Sequence, residues 1–227
     1  MRATDALDKA GLRTPNAIFV QQGGMSVSYQ EAVAMSHRIA VKIQDMGIEP
    51  GTRVAFLSPN DWRGLIFMYG LWRAGMVLVP VNVRNSPVLN AGILRQHKPS
   101  AMVYHSQVTS LAAHVKEELH SLPQWCCLDR QDDETPSLID WMAPLGSIAK
   151  DLPNDPLTPW TLYSTSGTTG SSKGVMHTHL SNYVTSVDML FSMRAHEAKR
   201  HLVVAPMTHF AGSFIFALTM TGSTHVL

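Results

Sequence analysis

The sequence predicts an α/β fold, a mainly parallel sheet flanked by helices. Three observations predict it. Short apolar or β-branched runs alternate with segments of helical spacing along most of the chain, a pattern that argues for a parallel sheet covered by helices. The 227 residues are 45% hydrophobic and 15% charged, a globular composition with enough apolar residues for a substantial core. A loop of small residues closed by a lysine, Ser164 to Gly174, directly follows the apolar run Trp160 to Tyr163. Parallel sheets bind their ligands at such carboxyl ends of strands.

The elements follow in order. Ala17–Val20 and Met25–Ser28 flank Gln21-Gln22-Gly23-Gly24 and predict a hairpin. Ser28 with Glu31 three residues on is a capping box. Ala32, Met35, Ile39, Ile43 and Met46 then keep helical spacing until Gly47. Arg53–Leu57 reads as a buried strand. A helix from about Asp61 to Ala74 follows, with the acidic residue at its positive end and Gly75 as its stop. Met76–Val81 is the next strand. Ser86-Pro87 opens a helix that runs to about His97, before Pro99. Ala101–His105, Thr109–Leu119 and Trp125–Leu128 continue as strand, helix and strand. The polar, proline-rich stretch 129–159 reads as a surface excursion around one short helix. Beyond the small-residue loop come a strand from Gly174 and a helix over about Ser181–Arg194, with Met189, Leu190 and Met193 in the core. Then follow a strand His201–Ala205, an apolar helix near Ser213–Thr221, and a last strand from Thr224.

Charge and cysteine content narrow the function. The formal net charge is +1 with no basic stripe, so nothing points to nucleic acid. The two cysteines, Cys126 and Cys127, are adjacent, poorly placed for an ordinary disulfide, and unaccompanied by a second pair for a metal. They read as reduced residues on a buried strand. The N-terminus lacks a signal-peptide core, and no stretch reaches the roughly 20 apolar residues of a membrane span. The expectation is a soluble, cytoplasmic protein with no metal site. His177 and His179 flank Thr178 without a third ligand nearby, so a structural role at the start of the next helix is expected of them.

The small-residue loop suits a polyphosphate. Glycines let backbone N–H groups approach an anion, hydroxyls add donors without bulk, and Lys173 adds a point charge. Composition alone would equally allow a flexible linker, but the apolar run before it and the lysine after it favour a ligand loop. It is not a Walker A loop, in which Gly-Lys-Ser/Thr is contiguous. Here Lys173 stands between Ser172 and Gly174. A kinase or GTPase of that class is therefore disfavoured.

Thr165-Ser166-Gly167-Thr168-Thr169-Gly170, followed by Lys173-Gly174-Val175, resembles the phosphate-loop signature of the AMP-forming, adenylate-forming enzymes. That superfamily contains acyl- and aryl-CoA synthetases, peptide-synthetase adenylation domains and firefly luciferase. The sequence departs at Ser172, where the family usually has proline. Gly51-Thr52-Arg53-Val54-Ala55 with Asn60, then Gly70, Gly75 and Val79-Pro80-Val81-Asn82, resemble the family's first α/β subdomain. Pro206 to Gly212 resembles a second motif, in which an aromatic or histidine residue borders the acyl substrate and the phosphates. By position that residue is His209.

The resemblance implies a reaction and a division of roles. A small-molecule carboxylic acid, fatty or aryl, and ATP would give an acyl-adenylate and pyrophosphate, then a thioester with coenzyme A, with Mg2+ as the metal. Thr165, Ser166, Thr168, Thr169 and Lys173 would hold the phosphates, Gly167 and Gly170 would allow close approach, and His209 would act at the acyl side. The family's adenine and ribose motifs, its magnesium-binding Glu and its C-terminal lysine are not found in these 227 residues. The expectation is therefore an N-terminal portion, inactive alone. It would comprise a first α/β subdomain over 1–200 and the start of a second over 201–227. A cut sheet would expose apolar surface and favour a homodimer or other self-association. Two alternatives stay open: a peptide-synthetase adenylation domain that loads a carrier thiol, and a non-catalytic nucleotide-binding or interaction module of the same fold.

Overall fold

The computed structural model describes residues 2–120, 122–131, 135–153, 155–165, 173–209 and 211–227. Two sheets organise them. The larger has six strands in the order β6-β5-β3-β4-β7-β8: β3 (Arg53–Leu57), β4 (Val77–Pro80), β5 (Ala101–Tyr104), β6 (Gln124–Cys127), β7 (Pro159–Thr165) and β8 (Lys173–Thr178). All neighbours run parallel except β8, which folds back antiparallel on β7. The smaller sheet has the order β2-β1-β10-β9: β1 (Ile18–Gln22), β2 (Met25–Ser28), β9 (Arg200–Leu202) and β10 (Thr224–Val226). The hairpin β1–β2 is antiparallel, as its turn residues require, whereas β10 joins β1 and β9 in parallel.

Side-chain alternation explains the layers. On β3, Val54 and Phe56 enter one core with Leu65 and Phe67 of α3 (Trp62–Arg73), while Ala55 and Leu57 enter another with Leu94 of α4 (Pro87–His97) and Leu111 and Val115 of α5 (Thr109–Glu118). Strands buried on both faces read as continuous apolar runs. The vicinal thiols divide the same way. Cys126 packs in the first core and Cys127 in the second, both are free, and burial pushes both thiols up.

The helix starts follow the expected caps. Ser28 and Glu31 form the reciprocal box that opens α2 (Tyr29–Asp45), Asp61 accepts the Arg63 N–H at the start of α3, and Ser86 accepts the Leu89 N–H at the start of α4. The first helix, α1 (Ala3–Arg13), was not among the expected elements. Ala3, Ala6, Leu7 and Ala10 line its buried face, and the Asp5 carboxylate accepts the Arg2 N–H at its start. Asp8 on α1 pairs with both terminal nitrogens of the buried Arg73.

Three expectations need correction. The stretch 129–159 is no mere surface excursion: α6 (Leu138–Trp141) buries Leu138 and Trp141, and the Trp141 ring stacks on Trp125 at 6.0 Å. Met193 is 62% exposed, because α7 (His179–Ser192) has already ended beneath it. The strand expected over His201–Ala205 stops at Leu202, and the Val203 and Ala205 carbonyls bond instead to the Asn60 side chain. The sheet that β9 enters also takes in the hairpin 18–28. Among the described residues no helix is long and apolar enough to cross a membrane.

Candidate functional site

The β7–β8 hairpin places the expected phosphate loop. Thr165 and Lys173 face each other as its last paired residues, and the Thr165 hydroxyl donates to the Lys173 carbonyl at 3.2 Å. The loop therefore springs from the carboxyl end of β7, the end at which parallel sheets bind ligands. Ser166, Gly167, Thr168, Thr169 and Gly170 lie outside the described residues. Lys173 is exposed at the mouth. Gly174 follows in close quarters: a Cβ there would lie 2.9 Å from His97 Nε2 and 3.0 Å from a Leu162 methyl, so a larger residue would require those side chains to shift. Both ring nitrogens of the buried His97 lack partners, and burial, helped by Arg53, lowers its pKa.

His209 sits in a turn between β9 and α8 (Ala211–Met220). Its N–H donates to the Pro206 carbonyl at 3.1 Å, and its own carbonyl accepts the Gly212 N–H at 2.8 Å. A Cβ on Gly212 would come within 2.4 Å of the Met207 carbonyl oxygen, so the turn closes only around glycine. Met207 and Thr208 are buried beneath it, which leaves the His209 side chain exposed.

A cavity of about 310 Å³ lies between Thr165, the described start of the first motif, and His209 of the second. Thr165 and His209 both line it, whereas Lys173 stands outside it at the loop mouth. Its remaining walls were not foreseen: Trp160, Tyr163 and Ser164 of β7, Val175 and His177 of β8, Asn182 and Thr185 of α7, and Ser213 of α8. A partial signal existed, since Tyr163 and Thr165 share a strand face, as do Val175 and His177. Which face meets α7 depends on the tertiary fold. Burial raises the Tyr163 phenol to about 12, and its ring meets that of His177 edge-on at 5.5 Å.

The two neighbouring histidines separate. His177 lines the cavity, whereas His179 begins α7, buried against α1, where its Nδ1 accepts the Ala3 N–H at 3.0 Å. Burial first, and the charge of Arg2 second, lower the His179 pKa to about 4. Among the described residues no group of three or more His, Cys, Asp or Glu side chains is arranged to hold a metal ion.

The fold matches that of solved adenylate-forming enzymes. A long-chain-fatty-acid CoA ligase from Rhodopseudomonas palustris superposes with a TM-score of 0.90 over 100% of this chain and 57% of its own, at 18% identity. MbtA of Mycobacterium smegmatis gives 0.88 over 100% and 43%, at 23% identity. In sequence, the chain is 30% identical over 217 residues to a feruloyl-CoA synthase of Amycolatopsis, covering 94% of this chain and 41% of the relative. It is 29% identical over 197 residues to the long-chain-fatty-acid–CoA ligase FadD13 of Mycobacterium tuberculosis, covering 82% and 36%. The chain thus spans about two fifths of the length of the curated relatives it matches. The profile of the family described as AMP-binding enzyme matches residues 7–227, and the chain belongs to that family.

Proposed function

We propose that this chain carries the phosphate-binding and acid-facing part of an ATP-dependent, AMP-forming acid–thiol ligase. In that reaction a carboxylate oxygen attacks the α-phosphorus of ATP. The bond from that phosphorus to the bridging oxygen breaks, and pyrophosphate leaves with the oxygen. The thiolate of coenzyme A then attacks the acyl carbon, forming a thioester and releasing AMP. The observation that carries the reading is the cavity shared by Thr165, at the foot of the Gly/Ser/Thr loop, and His209. The ligase names of the relatives point the same way.

In this reading Lys173 neutralises charge on the β- and γ-phosphates, which also grows on the leaving pyrophosphate. The Thr165 hydroxyl joins the loop donors Ser166, Thr168 and Thr169, and Gly167 and Gly170 let the backbone come close. His209 borders the acid. The described residues offer no side-chain set for the magnesium that accompanies such nucleotides, and the mechanism assigns it no step. Self-association belongs to the same proposal, because β9 is a sheet edge that carries exposed Leu202 and is followed by exposed Val204. Concentration-dependent light scattering tests it.

The deciding experiment is equilibrium binding of ATP and of pyrophosphate to the native chain and to Lys173→Ala, followed by ATP–pyrophosphate exchange with a panel of carboxylates. Binding that depends on Lys173 supports the reading. The same affinity in both proteins, or no binding to either, overturns it.

A further inference from the structure

A buried imidazole backs the hairpin from which the phosphate loop leaves. His97, the last residue of α4, is 2% exposed, and neither of its ring nitrogens has a hydrogen-bond partner. The Nε2–Cδ2 edge of the ring lies against Gly174, where a Cβ would come within 2.9 and 3.4 Å of those two atoms. Gly174 pairs with Ser164, one step inside the final pair of Thr165 with Lys173. Among the described residues β8 is a sheet edge whose one strand neighbour is β7. The charged groups around the ring are cations. Arg53 on β3 donates from Nη1 to the His97 carbonyl at 2.9 Å, Lys98 follows in the chain, and Lys173 adjoins Gly174 on β8. Leu162 of β7 closes the same contact with a methyl group. The last turn of a helix favours a cation slightly, but a buried charge without an acceptor is far costlier. Burial first and Arg53 second therefore keep the ring neutral.

We propose that His97 is a positioning residue of the phosphate site: its neutral ring holds the Lys173–Gly174 end of β8 on β7, and proton uptake by the ring releases that end. It rests on the ligase reading in so far as Lys173 serves a phosphate. A proton taken from solvent onto either ring nitrogen makes an imidazolium that must reach water. One of its two walls then has to yield. The end of α4 is tied to β3 through Arg53, whereas the end of β8 is held from one side by β7. The strand end yields, and Lys173 leaves the place set for it by its pairing with Thr165.

The test is amide hydrogen exchange of the chain, read residue by residue as protection factors. From pH 7.5 to 5.5, protection at the Lys173 end of β7 and β8 should fall about tenfold relative to β3 and β4, because a released ring titrates near roughly 6.5 and a held ring does not. His97→Leu, close in volume and unable to titrate, should abolish the difference. His97→Gln serves if leucine crowds Gly174, and the native measurement stands without either variant. With pyrophosphate at about 100 times its dissociation constant, protection of the same amides should rise about 100-fold, since the closed hairpin is the form that binds. No change with pH, an equal change in both strand pairs, or a fall that survives the substitutions would overturn the inference. Pyrophosphate that binds without protecting the hairpin end defeats the inference and leaves the ligase reading standing. Acid release without any pyrophosphate binding defeats the ligase reading and leaves the hold of His97 on the hairpin standing.

Discussion

The side-chain oxygen of Asn60 accepts the backbone N–H of Met207 at 2.8 Å, and its amide nitrogen donates to the Val203 and Ala205 carbonyls at 3.0 Å each. One side chain after β3 thus fixes the segment that carries His209, across 147 residues of sequence. Asn60→Ala would strand a donor and two acceptors. Unfolding free energy should fall by about 2 kcal/mol, lowering the melting temperature by roughly 4–8 °C. Calorimetry checks this, and an unchanged melting temperature would show that the turn holds itself.

Lys173 is the cation at the loop mouth. Lys173→Ala should weaken pyrophosphate binding by about tenfold or more, the worth of one charge-assisted hydrogen bond. Lys173→Arg should recover part of that, since the charge remains. Wild-type affinity should also decline with ionic strength. A titration series in salt and in the two variants decides it.

Gly174 lies against His97 and Leu162, so Gly174→Ala forces a buried imidazole to shift. The expected loss is about 1–3 kcal/mol in a urea melt. Adding His97→Ala should return part of it, so that the double variant is more stable than the sum of the two single changes. Strict additivity would mean that the contact does not govern the strand.

Acid should weaken the fold before the carboxylates titrate. Burial and Arg2 lower His179 to about 4, and burial and His201 lower His225 to about 3, against 6.5 for a free imidazole. Between those values the unfolded chain takes up protons that the folded chain refuses. Stability is therefore complete above about pH 6.5 and is lost as pH falls toward 4 and then 3, with a slope of up to about 1.4 kcal/mol per unit for each histidine. Denaturant midpoints should record a loss of about 4 kcal/mol from pH 7 to pH 5. His179→Gln, which keeps an acceptor for Ala3 but does not titrate, should make the profile shallower by about half. A flat wild-type profile would show that these rings are not held neutral.

Local chemistry was legible where it is written in adjacent residues. The Ser28–Glu31 box, the Ser86-Pro87 start and the continuous apolar run of β3 each announce their element, and each forms as announced. The helix α1 escaped notice because alanine makes a weak apolar stripe. It becomes a core face only when Arg73 and His179 arrive from distant segments. The cavity walls were hidden for the same reason: Asn182 is an ordinary helix residue until β7 and β8 are laid against it. Trp141 likewise looks like part of a polar loop until Trp125 supplies a surface for it.

The pairing of β1 with β10 sets Val20 beside His225 and Gln21 beside Val226. A ribosome making roughly 5–20 residues per second needs about 10–40 s to travel from one to the other. Throughout that interval the emerging hairpin presents an open, strongly β-forming edge with no sheet to join. Docking of the last strand is then a late, long-range closure of the kind that slows folding, and it makes nascent residues 18–28 natural clients for chaperone protection.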